Sequence, residues 1–232
     1  MKRGLNSFEN PSLALALQSF VQKTYAWMVG GLLISGLTAV FVASSSMIEY
    51  IAYNPGLLIF LFLVELGLVF FLSARIMSLK ASTAGLLFVI YSFLNGLTLS
   101  LIFLVYTATS IQNVFFTTAA LFAAMSFYGY TTKRDLTSFG SFLFMGLIGI
   151  ILATIINIFL ASSALDFAIS IIGVFIFVGL TAYDTQKLKE MFYELSDDGT
   201  ALGKFAILGA LTLYLDFINL FLFLLRLFGR RD

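Results

Sequence analysis

Seven apolar runs dominate this 232-residue chain, and each is long enough to cross a lipid bilayer. A spanning helix needs about 20 such residues to cover roughly 30 Å of hydrocarbon. The runs are Tyr25–Ala43, Tyr50–Ala74, Ala81–Tyr106, Val114–Tyr130, Phe139–Leu160, Leu165–Tyr183 and Phe205–Leu225. They leave no room for a second, soluble domain, so the expected fold is an all-α integral membrane protein of seven transmembrane helices. Composition agrees: 60% of residues are hydrophobic and 11% charged, where a soluble domain carries about 25% charged residues. A mean hydropathy of +1.03 excludes a soluble globular enzyme. With 13 Lys and Arg against 12 Asp and Glu there is no basic excess to neutralise phosphates, so nucleic acid is not an expected partner. The absence of Cys and His excludes disulfides, thiolate metal sites, cysteine nucleophiles and the usual near-neutral proton carrier.

Positive charge orients the spans. Lys2, Arg3 and Lys23 precede the first, Arg75 and Lys80 follow the second, Lys133 and Arg134 follow the fourth, and Lys187, Lys189 and Lys204 lie between the sixth and seventh. The three connections on the other side carry no Lys or Arg. By the positive-inside rule the N-terminus faces the cytoplasm. Residues 1–23 read as a cytoplasmic segment without a cleavable signal pattern, and 24–232 as one seven-helix domain in membrane lipid. Arg226, Arg230 and Arg231 conflict with that rule if the last run crosses fully. A full seventh crossing is nonetheless the expectation, because earlier helices normally fix orientation.

Ionisable groups at membrane depth are costly and usually mark a pathway or a proton relay. Four stand out: Glu65 midway along the second run, Arg75 at its cytoplasmic end, Asp184 at the cytoplasmic end of the sixth, and Asp216 midway along the seventh. Asp216 belongs to a stripe of Gly209, Thr212, Asp216 and Asn219 at helical spacing, which Arg226 rejoins. The other faces of that run are Leu, Ile and Phe, so the last helix is expected at the centre of the protein, lining something wet. Each group also has a plainer reading. Asp184 is also placed to snorkel beside Lys187, Arg75 to anchor in headgroups, and Glu65 to act as a silent protonated partner. Tyr91 and Tyr214 read as packing groups with satisfied hydroxyls. Gly31 and Ser35, at small-xxx-small spacing, read as close helix packing.

The run Val178-Gly179-Leu180-Thr181-Ala182-Tyr183-Asp184-Thr185-Gln186-Lys187 resembles a signature of the transmembrane Bax inhibitor motif family, the Bax inhibitor-1-like membrane proteins. The run from Gly209 to Phe221, containing Tyr214-Leu215-Asp216-Phe217-Ile218-Asn219, resembles a second. The likeness extends from about Lys23 to the C-terminus, and the short polar N-terminus is similar to bacterial members, which implies the inner membrane. It implies seven helices with the C-terminal one central, surrounded by the other six in two groups of three. It also implies a pH-sensitive calcium leak governed by two aspartates. On this chain the pair falls on Asp184 and Asp216, the latching arginine on Arg75, and an acid of the second helix on Glu65. The chain lacks the lysine-rich tail of some eukaryotic members.

The residues support such a mechanism. Two carboxylates close together in a poorly solvated site titrate as a unit and give a pH response without histidine. Calcium accepts carboxylates, carbonyls and water. Asp184 and Asp216 with Asn219 would form a weak calcium site, with Glu65, Thr212, Tyr183 and Tyr214 as lining or supporting groups. Calcium enters as cargo or a loosely held ligand, and no tightly bound cofactor is expected. An Arg75–Asp184 pair would break on protonation, so acidification is expected to open the cytoplasmic end. One difficulty concerns depth. With the seventh helix entering at Phe205, Asp216 lies about 16 Å inside at 1.5 Å per residue, while Asp184 stays near the surface. Contact requires that helix to start further out, or water to bridge the gap.

Other readings fare differently. Tyr183-Asp184 fits an intramembrane aspartyl protease, but the Gly-x-Gly-Asp and Pro-Ala-Leu elements of those enzymes are absent, so no catalytic residue is assigned and the chain is not read as an enzyme. A retinal pump needs a mid-membrane lysine, and every Lys lies outside the runs. A proton-coupled exchanger could use the same carboxylates. The main alternative, implied by the resemblance to bacterial members of the family, is an interaction protein that binds and modulates a membrane-anchored protease through its N-terminal segment.

Overall fold

Backbone amides in hydrocarbon have no water to bond, so each apolar run closes its hydrogen bonds within a helix. The computed structural model describes residues 11–195 and 199–231. Its helices are α1 (Pro11–Ala43), α2 (Met47–Ala52), α3 (Pro55–Arg75), α4 (Ala81–Leu99) with a 3₁₀ extension η1 (Ser100–Leu104), α5 (Ala108–Thr131), α6 (Thr137–Leu160), α7 (Ser163–Leu195) and α8 (Gly199–Phe228). Among the described residues seven are long and apolar enough to span, all but the short α2. The lipid-facing character is plain on α6, where Phe142, Phe144, Met145, Ile151, Leu152 and Phe159 are exposed. In water such a face would drive aggregation.

Local chemistry sets the helix ends. Pro55 begins α3 with Asn54 as its cap, the Asn54 side-chain oxygen accepting from Leu57 N at 3.3 Å. The expected continuous run from Tyr50 is therefore broken, and α2 stands before it. Thr107 caps α5 by accepting from Ser110 N at 3.2 Å, which starts that helix well before the expected Val114. Ahead of α6, Asp135 accepts from Thr137 N at 2.8 Å. Helix α6 stops at Ala161, a left-handed residue with φ 49°. That conformation costs a non-glycine residue about 1 kcal/mol, and Asn157 helps hold it by accepting from Ser162 N at 3.0 Å.

The helices form two compact units. One holds the chain up to Leu101 with Leu188–Thr212; the other holds Ile102–Lys187 with the chain from Leu213 onward. In the first unit α1 and α4 pack through small residues. Ser35 Oγ donates to Ser92 O at 2.7 Å, and a Cβ on Gly31 would meet the Phe88 ring and Ser92 Oγ. Glycines at 85 and 96 of α4 receive Trp27 and Thr38 in the same way. Close approach of this kind substitutes for the hydrophobic drive that lipid removes. Of the expected cytoplasmic segment 1–23, residues 11–23 are helical and continuous with the rest of α1, and residues 1–10 lie outside the described residues. Leu17 and Phe20 of α1 are buried, with the Phe20 ring 5.7 Å from that of Phe192 near the end of α7.

In the second unit α5 and α8 interlock through aromatic rings. Phe115 and Phe122 each place their rings 5.4 Å from that of Phe217. Helix α8 continues unbroken to Phe228, long enough for the expected full crossing, and its tail is tied down beyond it. Thr107 N donates to Arg230 O at 3.1 Å, Arg230 N donates to Ser110 Oγ at 2.8 Å, and Arg231 lies over the Tyr106 ring. Arg226 sits 3.8 Å from Asp166 and over the Phe223 ring. The three arginines that conflict with the charge rule thus each have a local partner.

Candidate functional site

The stretch Ala182–Gln186 of α7 is gripped from two sides. A Cβ on Gly129 of α5 would strike the Ala182 carbonyl, and one on Gly140 of α6 would strike the Tyr183 ring. Glycine at these two positions lets the α7 backbone come close to α5 and the Tyr183 ring lie close on α6. Gln186, buried, reads the loop before α6 with both ends of its amide: its oxygen accepts from Leu136 N and its nitrogen donates to Arg134 O, each at 2.8 Å. These contacts fix the rotation of α7 about its axis at Asp184.

Two thirds (67%) of the most apolar 18-residue stretch of α8 is buried, against 11–44% for the other six spans. Asp216 lies on α8 at 4% exposure, and Asp184 is half-buried. The two carboxyl groups lie within hydrogen-bonding reach of each other. A contact between two carboxyls needs a proton, because both oxygens otherwise only accept. Asp216 Oδ2 is buried with no donor among the described residues. A buried acceptor without a donor carries a desolvation cost of about 1–3 kcal/mol, which a cation, water or proton would relieve. The depth difficulty is met by the helices themselves: α7 runs to Leu195 and α8 starts at Gly199, well before Phe205. The hairpin therefore begins further out than the apolar run suggested.

The remaining residues of the expected site are placed unevenly. Asn219 Nδ2 donates to Leu215 O at 2.8 Å, and Thr212 Oγ1 donates to Leu208 O at 3.2 Å, so both bond along their own helix. Gly209 packs against Leu188 and Thr24 in the first unit. The expected wet stripe is thus interrupted, with dry packing at its first member and Asp216 as its buried point. Tyr214 is fully buried. Tyr183 packs on Gly140, and Lys187 lies over its ring at 5.7 Å. Glu65 and Arg75 belong to the first unit. Glu65 is buried with both oxygens engaged, accepting from Asn95 Nδ2 at 3.3 Å and Thr98 Oγ1 at 3.1 Å. Arg75 ends α3, exposed, its carbonyl accepting from Ser78 N and Leu79 N.

Three groups were missed in the sequence: Gln186, the Asn95–Thr98 pair that holds Glu65, and Gly129 with Gly140. Asn95, a polar amide within an apolar run, was the one visible signal. The others carry no mark until their partners are in place. Among the described residues no three Asp or Glu side chains gather into a group that could hold a metal ion.

Comparison with known proteins agrees with the two motif runs. Residues 17–232 match the family model described as inhibitor of apoptosis-promoting Bax1. The inner membrane protein YbhL of Escherichia coli K12 is 54% identical over 217 residues, covering 93% of each chain. A Rickettsia prowazekii protein is 43% identical over 96% of this chain and 94% of its own length. YrjE of Lactococcus lactis is 40% identical over 92% of this chain and 91% of its own. With seven spanning helices and near full-length likeness, this multi-pass membrane protein belongs to the Bax inhibitor-1-like family.

Proposed function

We propose that the protein is a pH-sensitive calcium leak, conducting rather than catalytic, in which Asp184 and Asp216 share either a proton or a passing cation. The observation that carries this reading is the carboxyl pair itself: two acids in hydrogen-bonding reach, one of them buried with a donorless oxygen. Two unit charges about 4 Å apart repel by about 4 kcal/mol at an effective dielectric of about 20. Something positive must sit between them, and at this site the candidates are a proton or a divalent cation. Competition of that kind makes occupancy depend on pH, and the direction of the flux response is set by the latch, which protonation releases, so that flux rises as pH falls. Two carboxylates with backbone carbonyls and water form a weak site, as a leak requires, because a tightly held ion does not leave.

The latch adds Arg75, which pairs with Asp184 when that group is charged and lets go on protonation. It rests on the family resemblance. The name of YbhL supports placement in an inner membrane, and the charge distribution supports a cytoplasmic N-terminus.

Calcium flux into liposomes over a pH series tests the reading, with the wild type and Asp184→Asn compared. Flux that rises as pH falls, and loses that dependence in the variant, supports it. A wild type without calcium flux at any pH overturns it and favours the protease-modulator role. That rival is probed separately by removing residues 1–10, since a longer deletion would take away the buried Leu17 and Phe20.

A further inference from the structure

Two buried side-chain oxygens have no hydrogen-bond partner among the described residues, and both lie in the second unit: Asp216 Oδ2 and Ser126 Oγ. The serine is the less expected of the two. A hydroxyl inside a helix ordinarily donates back to the carbonyl four residues earlier. Thr118, Ser170 and Thr181 of the same unit do so, at 2.8, 2.8 and 2.7 Å. Ser126 does not, although it is buried and pays the same desolvation cost.

Its position on α5 says which neighbours it serves. Ile111, Val114, Thr118, Phe122, Ser126 and Gly129 recur every three or four residues and form the buried face of that helix. On one side of Ser126 along this face, Phe122 packs its ring on Phe217, the residue after Asp216. On the other side, Gly129 touches the backbone of Ala182, two residues before Asp184. Ser126 is therefore held between the contacts α5 makes with α8 and with α7, beside the segments that carry both aspartates. Nothing apolar requires a hydroxyl there. Alanine would fill nearly the same space without the polar cost.

We propose that Ser126 is a third oxygen of the cation path: its hydroxyl and the donorless Oδ2 of Asp216 together hold a hydrated divalent cation, with water completing the shell. Calcium takes six to eight oxygens, and two carboxyl groups fall short of that number. A neutral hydroxyl adds a ligand without adding charge, which keeps the site weak enough to release its ion. This inference rests on the leak reading for its meaning, but the position of the hydroxyl is testable without flux.

The chain has no cysteine, so Ser126→Cys introduces a single thiol into the full-length protein. The probe is a small cationic methanethiosulfonate reagent, applied to protein in phosphatidylethanolamine–phosphatidylglycerol liposomes. Phe127→Cys, at a lipid-facing position 70% exposed, is the control. The expected result is modification of the Ser126→Cys thiol and none of the Phe127→Cys thiol, with the first reaction slowed about tenfold by calcium at about ten times its dissociation constant. In parallel, Ser126→Ala lowers calcium flux at fixed pH by about three- to tenfold, the weight of one hydrogen-bonding ligand. A Ser126→Cys thiol as unreactive as the lipid-facing control overturns the proposal, as does a reactive thiol that calcium fails to protect. An unchanged flux in Ser126→Ala, with Asp216→Asn altered, overturns it while leaving the aspartate reading intact. A wild type without flux overturns the leak reading, and calcium protection of the Ser126→Cys thiol then decides separately whether a cation binds there.

Discussion

Replacing Asp216 with Asn changes one heavy atom and tests the central idea. The amide keeps the shape of the carboxyl and gives Asp184 a permanent N–H donor, so the two side chains stay together at every pH. What disappears is the second negative charge. In the wild type that charge contributes about 4 kcal/mol of repulsion at about 4 Å and an effective dielectric of about 20. At about 1.36 kcal/mol per factor of ten, this is roughly a thousandfold in how strongly the pair holds a proton or a divalent cation. The variant should therefore lose both the attraction for calcium and the competition with protons. In liposomes with internal calcium dye, wild-type flux is expected to rise roughly tenfold between pH ~8 and pH ~6, while Asp216→Asn gives a level, low trace. Thermal unfolding of the detergent-solubilised variant should stay at or above the wild-type midpoint, because a buried charge has been removed and the contact kept. A variant whose flux follows the wild-type pH profile would refute the reasoning, whatever its absolute rate.

Other consequences follow from particular contacts. Arg75→Ala should leave flux high at all pH values; a normal pH profile in that variant removes the latch from the mechanism. Gly140→Ala would set a methyl group 2.5 Å from the Tyr183 ring, an overpacking that costs about 1–3 kcal/mol and lowers resistance to denaturant. The same substitution at Gly67, where nothing lies within 4 Å of an added methyl, should be neutral or better. At the start of α6, the Thr137 hydroxyl and N–H hold the exposed Asp135 carboxylate below its ordinary range. A group held low contributes stability above its unfolded value of about 3.9 and loses it as pH falls through the lower folded value. Hydrogen exchange in the first turn of α6 should accordingly speed up only in strong acid, and Asp135→Ala should abolish that dependence.

Hydropathy and helix-end chemistry act over a few residues, and what depends on them is legible in the chain itself. The seven spans, the absence of thiol chemistry and the prominence of Asp216 on its own helix all follow from spacing and residue type. The motif runs around Asp184 and Asp216 added the family. Helix-to-helix contact is a different matter. In lipid, apolar surface gives no preference for one neighbour over another, so packing is decided by where small side chains let backbones approach and where buried polar groups find partners. That is why Gly129 against Ala182, Gly140 against Tyr183 and the two donors on Glu65 leave no trace in a hydropathy profile. Nor do the outer ends of α1, α7 and α8, which continue past the apolar runs because they pack on one another rather than on lipid. The meeting of Asp184 with Asp216 depends on those extended ends and on the grip that α5 and α6 hold on α7. The chain supplied two acids on separate helices, and tertiary packing turned them into a pair.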